Sequence, residues 1–203
     1  MNNVSKLMLS AEEQLLVSNC DWILTKRTII NKVCLLFGAL SEAQKSVIEA
    51  EKNSLPEKVL HSTAKISKGE NYLQLPYVLL DYPRCFEAGH IFAIRTFFWW
   101  GHFFSLSLHL SGKYKQLYQK KIIDSLVSDS HDYFICVHDS QWHHHFETDN
   151  YKEVKQMSKK ELADRIGRME FIKLSIKFPL QQWEHISGLL DKSFKEIIDM
   201  LKA

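Results

Sequence analysis

The sequence predicts an α+β fold built on an antiparallel or mixed sheet of about four to six strands. Three observations carry that reading. Residues 91–110 (Ile-Phe-Ala-Ile-Arg-Thr-Phe-Phe-Trp-Trp-Gly-His-Phe-Phe-Ser-Leu-Ser-Leu-His-Leu) read as a β-hairpin turning at Gly101-His102. The chain before residue 63 carries helix starts and helical apolar spacing. Residues 180–201 carry one long apolar stripe at helical spacing. The expected organisation is one domain over 1–203: a helical section (1–63), a sheet with interspersed helices (70–178) and a C-terminal helix (180–201).

Ser10-Ala11-Glu12-Glu13 is a capping box, so a helix is expected from Ala11. Leu16, Cys20, Ile23, Ile30, Cys34 and Phe37 form its stripe, and Gly38 is a natural stop. Ser41-Glu42-Ala43-Gln44 is a second capping box, opening a helix to about Lys52. Ser54-Leu55-Pro56-Glu57 has cap spacing and starts a short helix. Ser67-Lys68-Gly69-Glu70 reads as a turn or loop. Tyr72 to Tyr82 reads as extended, with Pro76 marking an edge or bulge and Pro83 ending the strand.

The competing reading of 91–110 is a membrane-spanning helix. Arg95 argues against it, at a cost of ~2.5–3.5 kcal/mol inside a span. So does the strict alternation from Ser105 to Leu110. A two-residue Gly101-His102 loop pairs Trp100 with Phe103, Phe98 with Ser105, Thr96 with Ser107 and Ile94 with His109. One face then mixes aromatics with Thr96, Ser105, Ser107 and His109; the other is apolar apart from Arg95. A three-residue loop would scramble the faces, because one residue of slip flips every side chain.

Ser111-Gly112 closes the hairpin, and Tyr114 to Val127 has helical spacing through Leu117, Ile122 and Leu126. Tyr133 to His138 reads as a strand. Asp139-Ser140 turns the chain, with Trp142 to Phe146 extended after it. Ser158-Lys159-Lys160-Glu161 is a third capping box, followed by a short helix lined by Leu162, Ile166 and Met169. Phe171 to Phe178 alternates as a strand whose wet face holds Lys173, Ser175 and Lys177; its lysines discourage edge pairing. Pro179 suits the first turn of the last helix, whose stripe is Trp183, Ile186, Leu190, Phe194, Ile197 and Leu201.

Composition excludes more than it assigns. A hydrophobic fraction of 45%, a charged fraction of 25% and a net charge of +2 give no general case for nucleic acid or anionic membranes. Cys20, Cys34, Cys85 and Cys136 form no CxxC pattern, and Cys20 and Cys34 look like small core residues. The N-terminus, Met-Asn-Asn-Val-Ser-Lys, leads into a charged helix rather than an uninterrupted apolar run, so no signal peptide is expected, and a reduced, cytoplasmic setting fits best. No glycine-rich phosphate loop or GxSxG elbow occurs.

Candidate chemistry gathers in two places. His138, Asp139, His143 and His145 are a candidate set for a divalent transition metal, since imidazole is its common ligand and alternate residues share a strand face. No HExxH or Cys/His zinc spacing supports them. Arg84 and Arg95 are candidate anion forks. An unpaired Arg95 on an apolar face is expensive, so Asp81 or Glu87 is its expected partner. Cys136 and His138 share a strand face, though two positions along a strand is a poor distance for proton transfer.

The first expectation is therefore a small-ligand or protein-binding α+β domain without an identifiable catalytic motif and with no cofactor identified. Phe98, Trp100 and Trp142 would wall its site, and Thr96, Ser105, Ser107, His109 and His138, with Arg84 and Arg95, would supply polar contacts. The alternatives are a metal-dependent, hydrolase-like enzyme at the histidine cluster, and a weak nucleic-acid-associated protein using the basic stretch 152–177.

Overall fold

The computed structural model describes residues 7–52, 54–128 and 132–202. The N-terminal residues 1–6, read above for a signal peptide, lie outside that range. Seven strands form one antiparallel sheet: β1 (Lys65–Tyr72), β2 (Leu75–Glu87), β3 (His90–Trp99), β4 (Phe103–Ser111), β5 (Phe134–Cys136), β6 (Tyr151–Glu153) and β7 (Phe171–Pro179). Their order is β1-β2-β3-β4-β7-β5-β6, so the β3–β4 hairpin lies at the centre as its sequence predicts. The strand count exceeds the expectation because 65–82 is a hairpin rather than a loop and one strand. Leu73 and Gln74 turn it, both at positive φ (47° and 68°).

The helices are α1 (Ala11–Ser18), α2 (Cys20–Ala50), α3 (Glu57–Leu60), α4 (Gly112–Ser128), α5 (Lys159–Arg168) and α6 (Ile186–Lys202). The Ser10 and Ser158 capping boxes form as read, each serine accepting from a glutamate amide three residues on. The Ser41 box does not. Helix α2 runs unbroken through Gly38, and the Ser41 hydroxyl donates to the Gly38 carbonyl instead. The real break precedes it at Asn19, whose side chain caps α2.

One sheet face is the apolar core. Helices α2, α4 and α6 pack there. Val78, Leu80, Ile94, Phe98, Phe104, Leu106, Leu108, Leu174 and Ile176 meet Phe37, Tyr118, Ile122, Leu190, Phe194 and Ile197. Phe37 and Trp183 both meet the Phe104 ring edge-on, at 6.4 and 5.3 Å between centroids. Burying each such ring contributes roughly 1.5–3 kcal/mol. Of the predicted N-terminal stripe, Ile30 and Phe37 are core, whereas Leu16, Cys20 and Ile23 are exposed and Cys34 is half-buried. Helix α1 buries no residue.

The hairpin turns through Trp100, Gly101 and His102. Trp99 pairs with Phe103, Phe97 with Ser105, Arg95 with Ser107 and Ala93 with His109. That is the three-residue loop, with Gly101 in the left-handed region at φ 74°. The predicted pairing is therefore off by one residue. Thr96 and Phe98 lie on the helix-covered face. Arg95 shares the other face with Ser105, Ser107 and His109.

Candidate functional site

The second sheet face is covered by the segment joining β5 to β6, residues 137–150, which we call the flap. It has no strand or helix of its own. Trp142 to Phe146 were expected to be a strand; here they cross the sheet and supply polar groups to it.

Strand β7 sits between β4 and β5, not at an edge, so its alternating polar residues are enclosed. Lys173 is 2% exposed and Ser175 is fully buried, and Lys177 alone of the expected wet face is open to solvent. Register places Ala93, His109 and Lys173 in one row and Asp81, Arg95, Ser107 and Ser175 in the next. A one-residue bulge between Asp81 and Arg84 sets this alignment. Strand β2 continues through Pro83, with a cis Tyr82-Pro83 peptide, instead of ending there.

Arg95 binds Asp81 through both Nε (2.6 Å) and Nη2 (2.9 Å). Its expected structural partner is therefore the observed one, and the pair is largely buried. The third contact, from Nη1, reaches His144 Nε2 at 3.3 Å. A guanidinium only donates, so Nε2 accepts and the imidazole proton of a neutral His144 sits on Nδ1. Nδ1 lies 3.5 Å from Lys173 Nζ. Lys173 Nζ in turn donates to the carbonyls of Gln141 (3.0 Å) and His143. Two donated bonds and one accepted bond are the valence of a neutral amine, not of an ammonium.

The electrostatics agree. Burial, with the Arg95 charge nearby, pushes the Lys173 amine down to about 7 from 10.5, although Cys136 opposes the shift. Burial, then the Lys173 and Arg95 charges, hold His144 well below 6.5. Burial and Lys173 likewise hold His109 down to about 3, despite its 2.7 Å bond to Gln141 Oε1. Ser175 Oγ lies 2.7 Å from Ser107 Oγ and 2.8 Å from the Tyr151 hydroxyl. Tyr72, from β1, fastens the flap: its hydroxyl accepts from the amides of His144 (2.6 Å) and His145 (3.1 Å).

Of the expected ligand residues, Arg95, Ser105, Ser107 and His109 come together here. Thr96 and Phe98 do not, and Trp100 packs against the core side. Trp142 sits on the flap, its ring 5.5 Å from that of His109. Arg84 lies apart, its Nε donating to the Thr63 carbonyl. Sequence reasoning passed over Lys173, His144, Gln141, Tyr72 and Tyr151. The legible signal was Lys173 alternating with Ser175; placing β7 inside the sheet makes that face a buried polar layer.

His138, His143 and His145 are neighbours, with ring centroids 4.3 and 5.4 Å apart. Their lone pairs are partly used. His138 Nδ1 accepts from the Ser140 amide (2.8 Å), and His145 Nδ1 lies 3.1 Å from the Tyr72 hydroxyl, which donates to it. Asp139 is exposed. Among the described residues no group of three or more His, Cys, Asp or Glu side chains is placed to hold a metal ion. Cys136 and His138 form no thiol–imidazole couple: Cys136 Sγ lies 3.7 Å from the His138 carbonyl oxygen. In the basic stretch, Lys155 pairs with Asp132 and Glu153, Lys159 with Asp124, and Lys173 is buried. No helix among the described residues is long and apolar enough to cross a membrane. The chain matches no protein-family model, no curated protein and no solved structure.

Proposed function

We propose that the protein binds a small oxygen-rich ligand, bearing a carboxylate or phosphate, between the sheet and the flap. One observation carries this reading: the donors of Arg95 Nη1, His109 and Lys173 are satisfied by acceptors that the flap supplies. A sheet face covered only for stability would be apolar, since burying a guanidinium, a lysine and imidazoles beside one carboxylate, Asp81, is costly. Perturbed titrating groups gathered in one place favour a binding site.

The flap also suggests the ligand's chemistry. The carbonyl oxygens of Gln141 and His143, the Gln141 amide oxygen and the His144 ring nitrogen are clustered acceptors. A ligand that lifts the flap must replace them with its own. Carboxylates and phosphates do so and add charge complementary to Arg95. The aromatic rings of Phe97 and Trp142, on either side of the imidazoles, supply apolar contact.

A thermal-shift panel of oxalate, citrate and phosphate against acetamide and glycerol tests the reading. At a hundredfold excess over Kd, a ligand specific for the folded state adds ~2.7 kcal/mol of stability. An oxyanion should raise the Tm of the native chain and leave that of Lys173→Met nearly unmoved. Equal, small shifts in both proteins with every oxyanion would sink the proposal.

A further inference from the structure

We propose that Lys173 takes its ligand covalently, its amine adding to the carbonyl of an α-keto acid or aldehyde acid to form an imine beneath the flap. This rests on the flap-covered site proposed above and narrows its ligand class. Three observations support it, and the first is hydrogen bonding. Among the described residues Lys173 Nζ has no carboxylate partner; it donates to the Gln141 and His143 carbonyls and faces the protonated Nδ1 of His144. That leaves a lone pair on nitrogen, which an ammonium lacks.

The second observation is spacing. Arg95 keeps Nε and Nη2 on Asp81, so Nη1 alone is committed to the flap. Nη1 and Lys173 Nζ contact the two nitrogens of the same ring, His144, at 3.3 and 3.5 Å. The gap between a guanidinium donor and the amine is thus filled by the width of one imidazole. A carboxylate bonded directly to a carbonyl carbon spans a similar width, and the flexible lysine stem supplies the closer approach that a C–N bond requires. With the flap lifted, the carboxylate meets Nη1 and the carbonyl carbon meets Nζ. Third, burial disfavours the charged form of this amine, moving its titration down toward neutral pH, whereas an exposed lysine stays ammonium there.

The step balances without a redox partner. The Nζ lone pair attacks the carbonyl carbon and forms the C–N bond. Both amine hydrogens end on the former carbonyl oxygen, which leaves as water, and a C=N bond remains. Borohydride-type reduction of that bond makes the linkage permanent and readable.

The test incubates the full chain with glyoxylate and cyanoborohydride at pH 7, then maps the modified lysines by peptide mass spectrometry. Lys173 should label on the order of ten-fold faster than exposed lysines such as Lys45 and Lys192. Lys173→Arg should lose that site and keep surface labelling. Oxalate, which offers oxyanions but no aldehyde or ketone carbon, is measured in parallel by thermal shift. Stabilisation by oxalate with no preferential labelling at Lys173 overturns the imine and leaves the oxyanion site standing. The absence of both effects overturns both the imine and the oxyanion site. Rapid labelling at Lys173 with no oxalate shift supports the imine and overturns reversible oxyanion binding.

Discussion

Asp81 and Arg95 show how one residue position decides the cost of a charge. The pair is bidentate and mostly removed from water. Replacing Asp81 by Asn leaves a buried guanidinium without its counter-charge and is expected to cost ~3–5 kcal/mol. Urea denaturation of the variant checks this; a loss below about 1 kcal/mol would mean that water reaches Arg95. Lys173 points the other way. Its burial opposes its charged form, but its amine also holds the Gln141 and His143 carbonyls of the flap, so Lys173→Met trades one cost for the other and should change stability by less than about 2 kcal/mol while abolishing ligand effects. A small change in Cm with loss of oxyanion response is the expected pair of results.

Protonation belongs at the same scale. His109 and His144 have folded-state values lowered from 6.5, by burial first. Between the folded and unfolded values the unfolded chain binds more protons, so stability falls as pH drops below about 6.5, and for His109 down to about 3. Lys173 follows the same sign in a higher window: its folded value near 7 lies below 10.5, so stability rises as pH climbs from about 7 to about 10.5. Denaturation midpoints at pH 5 and pH 7 should therefore converge in a His109→Gln/His144→Gln double variant relative to the native chain. An unchanged pH slope would show that the rings are solvated.

At the scale of elements, the hairpin turn sets the chemistry of the whole face. Gly101 adopts φ 74° with nothing within 4 Å of an added Cβ, so Gly101→Ala is expected to cost only the conformational term, ~1–2 kcal/mol. Hydrogen exchange should show intact β3–β4 protection in that variant. The flap is the contrasting element. Its anchors are side chains of β1, β3, β4 and β7 rather than a backbone ladder. Flap amides at 139–146 should exchange faster than those of β4 and β7, and Tyr72→Phe should speed them further by removing the acceptor shared by His144 and His145. Equal protection across flap and sheet would remove the opening that ligand entry requires.

Across the whole molecule, helices insulate one sheet face and the flap closes the other, so the main apolar core and the candidate site lie on opposite sides of one sheet. Helix α1 contributes to neither. A chain beginning at Asn19 should retain the native unfolding free energy to within about 0.5 kcal/mol, as measured by denaturant titration.

Much of this architecture is legible in the residues. The Ser10 and Ser158 caps, the 3.6-residue stripe of α6 and the alternation of β4 and β7 are local patterns, fixed by hydrogen bonding and periodicity within a few residues. They suffice for a mixed helix-and-sheet fold with a central antiparallel hairpin. Other features depend on partners distant in sequence. The length of the 100–102 turn decides which face Arg95 shares. The bulge at Asp81–Arg84 brings its carboxylate into line. The insertion of β7 between β4 and β5 turns a seemingly wet face into a buried one. The flap's imidazoles meet lysine and arginine only because the chain returns over the sheet. By itself, then, the sequence determined the element types and the central hairpin, because those follow from short-range spacing. Tertiary structure decided which of the polar side chains meet at the candidate site, because strand order and register determine which of them lose water together.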